Sequence, residues 1–305
     1  MKILVTGGAG FIGSHIVDVL ISKGHKVVIV DNLSTGKKKC LNKSAKFYLN
    51  DIQEDELIKI FKTEKPEVVI HTAAQVMLRD SLRNPINDAK INILGTLNVL
   101  EACIRSGVKK IIYTSTGGAR VGEPKYMPVD EKHPIEPISP YGISKHTAEH
   151  YVKMYHEVYG LDYKIFCFGN VYGPRDDPST GRIASVFITK LLNKESPKIF
   201  GDGNQTRDFI FVEDIAEFIV ESINKKTDHK LFHLANGESI SVNKMFRILK
   251  QISGLELDAE HIKAIPGEIR DMVLDTSLAQ KELSWKVKTS FEEGLKKTFE
   301  WFKNG

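Results

Sequence analysis

A doubly wound parallel sheet carrying a second, smaller α/β lobe is the fold class this chain predicts, and three features carry the prediction. Short β-branched runs alternate with amphipathic segments through the first part of the chain. A glycine-rich turn joins the first such run to the first amphipathic segment. After Gly173 the texture changes to loops rich in Gly, Pro, Arg and Asp, such as "GPRDDPSTGR", "FGDGNQTRD" and "IPGEIRD".

In order, the elements are "KILVT", a helix to about Lys23, "KVVIVD", a helix near 54–63, "EVVIHTA", a helix near 86–106 and "KKIIYTS". A long helix follows Pro140, and "YKIFCFGNVYG" reads as a further central strand. The strand and helix character of "DFIFVEDIAEFIVESI" and "KLFHLA" predicts that the chain re-enters the first sheet. The expected division is residues 1–172, re-entered at about 207–235, and a lobe of 173–206 with 236–305.

Across 305 residues, 41% are hydrophobic and 27% charged, which excludes disordered and fibrous classes. The net charge of +4 is thinly spread, and its densest run, Lys37 to Lys39, is too short for a nucleic-acid track. Three cysteines without a C-x-x-C pair fit a reducing compartment and give no cysteine zinc site. No run of 18 apolar residues occurs and the chain opens directly on a strand, so the expectation is a soluble cytoplasmic protein without membrane or nucleic-acid partners.

Gly7-Gly8-Ala9-Gly10-Phe11-Ile12-Gly13 sits between the first strand and first helix. Glycines there let the backbone approach a pyrophosphate, whose charge meets the free N–H groups at a helix start. Asp31 ends the second strand, where a carboxylate accepts hydrogen bonds from ribose hydroxyls and repels a 2′-phosphate. A Rossmann-type domain selecting NAD follows, with Lys37 to Lys39 keeping NADP as a second possibility.

Tyr141 and Lys145 lie four residues apart, on one face of a helix. Bringing a phenol from about 10 to about 7 takes roughly 4 kcal/mol. One cation at about 4 Å supplies on the order of 4 kcal/mol at an effective dielectric of about 20, before desolvation is subtracted. Thr116 ends the strand "KKIIYTS", at the sheet edge where such folds bind ligands, and its hydroxyl both donates and accepts.

The ordered set of Thr6 to Gly13, Asp31, "NDI", "HTAAQ", "NILGTLNVLEA", Tyr141 with Lys145, "NVYGPR" and "GDGNQTRDFIFVEDIA" resembles the extended short-chain dehydrogenase/reductase family over essentially the whole chain. The resemblance implies a cofactor set of Gly7, Gly10, Phe11, Ile12, Gly13, Asp31, Asn32, Asp51, Ile52, Ala73, Ala74, Gln75, Asn92, Tyr141 and Lys145. Within it, Asp51 and Ile52 flank the adenine, and Ala73 and Gln75 border the dinucleotide. It implies Thr116, Tyr141 and Lys145 as catalytic, and Thr116, Gly117, Gly118, Asn170, Arg207 and Arg270 as substrate-binding. Independently, arginine forks suit phosphate oxygens, and both arginines lie in glycine- or proline-rich loops.

Dehydratases of this family place Asp and Glu directly after the threonine, and its decarboxylases a nearby glutamate. Here Gly117 and Gly118 follow, then Ala119, and Arg120-Val121-Gly122 stands where relatives often have Val-Tyr-Gly. Without a carboxylate from this turn, a 4-keto sugar can only be reduced again. "TSTGGA" resembles the Thr-Gly-Gly strand of the UDP-glucose 4-epimerase branch, implying interconversion of UDP-galactose and UDP-glucose with bound NAD. Epimerisation of UDP-N-acetylglucosamine or a UDP-uronate, a nucleotide-4-ketosugar reductase and a non-catalytic NAD-binding regulator are the alternatives. Met272 falls near the position that gates N-acetylated sugars in such epimerases.

His146-Thr147-Ala148-Glu149-His150 spells an inverted zinc-peptidase pattern, but Lys145 next door turns these histidines toward solvent or a subunit interface, and no metal is expected. Apolar faces in "INILGTLNVLEACI" and "AEHYVKMYHEVYG" predict a homodimer.

Overall fold

The computed structural model describes residues 1–264 and 269–304, so the loop expected over "IPGEIRD" lies partly outside the described residues. Its contacts divide the chain into Met1–Gly122 with Ile135–Cys167 and Ala216–Phe232, and Glu123–Pro134 with Phe168–Ile215 and His233–Gly305.

The strands are β1 (Lys2–Thr6), β2 (Lys26–Asp31), β3 (Lys46–Leu49), β4 (Val68–His71), β5 (Lys110–Thr116), β6 (Asp162–Phe168), β7 (Asn170–Tyr172), β8 (Lys198–Phe200), β9 (Thr206–Arg207), β10 (Phe209–Phe211), β11 (Leu231–Leu234), β12 (Ile240–Ser241) and β13 (Glu260–Ile262). A seven-stranded sheet has the order β11-β6-β5-β4-β1-β2-β3, winding outward from β1 in both directions. β1 pairs in parallel with β2 and β4, β2 with β3, and β4 with β5. That register aligns Thr6 with Val30 and His71, and His71 with Tyr113, so the motifs following these strands share one sheet edge.

The helices that matter for the site are α1 (Phe11–Ser22), α2 (Glu56–Glu64), α3 (Leu78–Arg83), α4 (Pro85–Ala89), α5 (Thr96–Ser106), α6 (Gly118–Val121) and α7 (Pro140–Tyr159). Leu4, Val30, Phe61, Val69, Leu100, Ile111 and Val152 join in the first unit's core. The second unit packs its own core around Tyr172, Phe187, Phe209, Phe211 and Phe291. Among the described residues no helix is long and apolar enough to cross a membrane.

The structure departs from the sequence reading in the division of the chain, where Glu123–Pro134 and Phe168 to Tyr172 fall in the second unit rather than the first, and in the following elements. The single helix expected over 86–106 is α4, a π-helical stretch Lys90–Gly95 and α5. The widened turn coincides with Asn92, which is buried and hydrogen-bonded to the backbone of Gln75, while Thr96 donates back to the Asn92 carbonyl at 2.7 Å. The short edge strand β3 escaped notice because neither of its faces is fully buried. "YKIFCFGNVYG" is two strands in different sheets, parted at Gly169, where an added Cβ would stand 2.7 Å from the Asp208 carbonyl oxygen. Finally, the return to the first unit begins at Ala216 rather than near 207, because β10 pairs with β7 and packs in the second unit's aromatic core.

One ion cluster ties the edge of the sheet to α2. Glu64 accepts from Lys46 at 2.5 Å, Tyr48 at 2.5 Å and Lys2 at 3.2 Å. Burial works against its charge, yet these three donors hold its carboxyl down at about 2. A depressed carboxyl stabilises the fold above its ordinary range and loses that contribution as pH falls toward 2. Glu64→Gln is therefore expected to cost about 1–2 kcal/mol at neutral pH, in a denaturant melt whose difference from wild type closes as the pH drops below 4. A deficit that persists unchanged in acid would contradict the assignment.

Candidate active site

The residues expected to hold a dinucleotide form a cradle that side chains would fill. Gly7 has φ of 72°, and a Cβ there would stand 2.6 Å from the Ala73 nitrogen. At Gly13, a Cβ would stand 2.2 Å from the Gly7 carbonyl oxygen, so helix α1 presses directly on the turn. Gly10 is the residue before α1, and no side chain caps that helix start, which suits an anion. Phe11 and Ile12 open the first turn of the helix.

Asp31 is buried at the end of β2 and accepts from the Ala9 and Leu33 N–H groups at 3.0 and 2.8 Å. Burial pushes its carboxyl above the usual range while those two donors pull it back. It thus braces the glycine turn as well as lying where ribose is expected. Asn32 donates to Asp51 at 2.6 Å, and Ile52 is buried beside it, so the expected adenine and ribose contacts are neighbours. The cradle, the helix start that no side chain caps and the strand-end carboxylate fit a dinucleotide.

Ala73, Ala74 and Gln75 leave the end of β4 as a partly buried strip. Asn92 holds this strip: its Oδ1 accepts from Gln75 N at 2.9 Å, and its Nδ2 reaches Gln75 O, Asp88 and Ser144. Its amide is thereby spent on the protein, which makes Asn92 a brace for the cofactor strip. Sequence reading missed Asp88 and Ser144, which meet at 2.5 Å and carry this bracing into α7. Ser144 lies inside "YGISK", but Asp88 carries no local signal because its partners are up to 56 residues away.

Ser139 caps α7 through Gly142 N, and Pro140 occupies its first turn, placing Tyr141 at the positive end of a 20-residue helix. Lys145, one turn on, is 4% exposed, with its ammonium 4.1 Å from the centre of the Tyr113 ring. Burial pushes that ammonium down to about 7, against Glu149, Cys167 and Asp88, which favour its charge. Thr116 ends β5, and its hydroxyl accepts weakly from Ala119 N at 3.4 Å. A Cβ at Gly142 would stand 2.1 Å from the Ala119 carbonyl oxygen, so the turn after Thr116 lies against the residue next to Tyr141.

Gly117 adopts φ −72° and ψ −59°, a conformation open to any L residue. Backbone geometry therefore does not demand glycine there, and small size is what remains. Of the zinc-like pattern, His150 is exposed and His146 half-buried, but Glu149 is buried and committed to Arg120, Ser115 and His146.

In the second unit, Thr206 and Asp271 form a parallel bridge that brings together two arginines 63 residues apart. Arg207 Nη1 donates to the Arg270 carbonyl at 3.0 Å, and Arg270 reaches Asp202 at 3.3 Å. Asn170 is exposed at the start of β7, in register with Phe209, two residues from Arg207. Asp208 anchors the region by accepting from the backbones of Asn236, Gly237 and Leu274.

Known proteins share both the sequence and the fold of this chain. A crystal structure of UDP-glucose 4-epimerase with UDP-glucose from Thermotoga maritima is 43% identical, covers 100% of this chain and 99% of its own, and superposes with a TM-score of 0.97. UDP-glucose 4-epimerase of Thermus thermophilus, in complex with NAD, is 34% identical over 100% of both chains, with a TM-score of 0.94. UDP-N-acetylglucosamine 4-epimerase of Methanobrevibacter ruminantium, in complex with UDP-N-acetylmuramic acid, is 37% identical, covering 99% and 98%, with a TM-score of 0.93. The model of the NAD dependent epimerase/dehydratase family matches residues 3–235, and this chain belongs to that family.

Proposed function

We propose that the protein interconverts UDP-galactose and UDP-glucose by inversion at C4, with NAD held in the glycine cradle. The observation that carries this reading is that Thr116 at the end of β5 is followed by two glycines, where elimination or decarboxylation would need a carboxylate, beside Tyr141 and Lys145 one turn apart on α7. Gly7, Gly10 and Gly13 with the start of α1 hold the pyrophosphate. Asp31 and Asn32 hold the adenosine ribose, and Asp51 with Ile52 the adenine. Ala73, Ala74 and Gln75 border the nicotinamide side, and Lys145 holds its ribose. Asn170, Arg207 and Arg270 are proposed to bind the UDP portion of the substrate.

When bound, NAD supplies hydride acceptance and return at C4, and a positive ring in its oxidised form. Tyr141 removes the proton of the 4-hydroxyl, and Thr116 holds that hydroxyl and relays. The positive start of α7 and the Lys145 ammonium both stabilise the resulting phenolate. The 4-keto sugar then turns about its pyrophosphate linkage, in the room left by Gly117 and Gly118. Hydride returned to C4 on the other face would set the opposite configuration, and Tyr141 gives the proton back to the C4 oxygen. UDP-N-acetylglucosamine is the second substrate reading, supported by the Methanobrevibacter relative and by Met272, a flexible side chain able to yield to a larger group.

A second copy of this chain is the proposed partner, supported by the exposed apolar residues Leu94, Met154 and Val158 along the two helical segments. Cytoplasmic residence is proposed from three free cysteines.

Incubating the purified protein with UDP-galactose and no added NAD should yield an equilibrium mixture with UDP-glucose by chromatography. No conversion after NAD is added and its binding verified would reject the reading for these sugars, and UDP-N-acetylglucosamine in a parallel sample decides the second. Tyr141→Phe should lower kcat by about 10²–10⁴-fold while leaving bound NAD in place. A loss below tenfold would remove Tyr141 from the proton transfer.

A further inference from the structure

Arg120 and Val121 are the residues by which this chain departs from the family's active-site turn, and Arg120 is 3% exposed. Its Nη1 lies 3.3 and 3.2 Å from the two Glu149 oxygens and 3.1 Å from Cys167 Sγ. Its Nε is buried with no hydrogen-bond partner among the described residues. Burying a guanidinium with a donor unmatched is costly, and a hydrophobic residue of similar volume is often as good for stability. Something other than packing therefore accounts for the charge.

Glu149 is the point where three functional elements meet. Ser115, which precedes Thr116 on β5, donates to its Oε1 at 2.5 Å, and His146 Nδ1 lies 3.0 Å from its Oε2. Along α7 it lies one turn beyond Lys145, whose charge it favours. Arg120 adds the turn that carries Gly117 and Gly118.

We propose that Arg120 is a positioning residue of the catalytic set: its guanidinium fastens the turn after Thr116 to α7 through Glu149, and keeps that carboxylate as the anion serving Lys145. Burial works against the Glu149 charge, and His146, Arg120 and Ser115 together hold its carboxyl below the ordinary range. Lys145 is otherwise faced by the Tyr113 ring, Asp88, Cys167 and His71. Burial pushes the Cys167 thiol up to about 12, raises the Tyr113 phenol and holds the His71 ring down at about 3, so none of these supplies an anion near neutrality. Burial likewise raises Asp88, against its hydrogen bond from Ser144. With Arg120 gone, burial acts on the Glu149 carboxyl against one donor fewer, the anion serving Lys145 is weakened, and the Tyr141 phenol is left with a weaker cation.

The inference rests on Tyr141 being the proton-transferring group, and its test needs no substrate. Ultraviolet titration of tyrosinate in the NAD-loaded protein, with the Tyr141 contribution isolated by subtracting Tyr141→Phe, is compared for wild type, Arg120→Met and Arg120→Lys. The Tyr141 midpoint is expected to rise by about one unit in Arg120→Met, a tenfold loss of phenolate at a given pH below it, and to return most of the way in Arg120→Lys. If Arg120→Met does not fold, R120M/E149Q, with both charges removed, replaces it and should show the same rise. An unchanged midpoint in either folded variant overturns the proposal. A wild type that titrates as described but epimerises no UDP-sugar would instead overturn the functional reading.

Discussion

An ammonium shut away from water, that of Lys145, has to be compensated by groups that reach it from several parts of the fold. β5 contributes the Tyr113 ring, α4 contributes Asp88 and α7 contributes Glu149. Each carboxylate is in turn fixed: Asp88 by Ser144 and Gln75, Glu149 by Ser115, His146 and Arg120. The cost of a buried charge thus orders the first unit from α4 to α7. Without that compensation, burial alone would push the Lys145 ammonium further down.

Close backbone approach is the second constraint, and it explains why parts of the site were legible in the sequence. Gly7 and Gly13 are required because any Cβ would strike Ala73 N or the Gly7 carbonyl, so geometry is written as residue type. Asp31 and the four-residue spacing of Tyr141 and Lys145 were legible for the same reason, since strand ends and helix faces are local. The π-helical turn at Asn92, the break at Gly169 and the Arg120 to Glu149 pair were not. Each depends on partners distant in the chain, 17 residues for Asn92 and 29 for Arg120.

Chemistry at the end of β5 is decided as much by what is missing as by what is present. Gly117 sits in a backbone conformation that any residue could adopt, so its lack of a side chain reflects the space and charge of the site. An acid there would open elimination routes for a 4-keto sugar, whereas glycine leaves reduction as the exit. The same turn carries Arg120, whose charge is directed away from that space and into the protein.

The central claim is that the C4 hydrogen leaves and returns within one bound cycle while Tyr141 handles only the oxygen-bound proton. It is tested most directly by supplying UDP-galactose deuterated at C4 and following the label by mass spectrometry and NMR. The account requires UDP-glucose with deuterium retained at C4, none appearing in water and none crossing to unlabelled substrate in the same vessel. Loss of the label to solvent, or inversion at any other carbon, would contradict it.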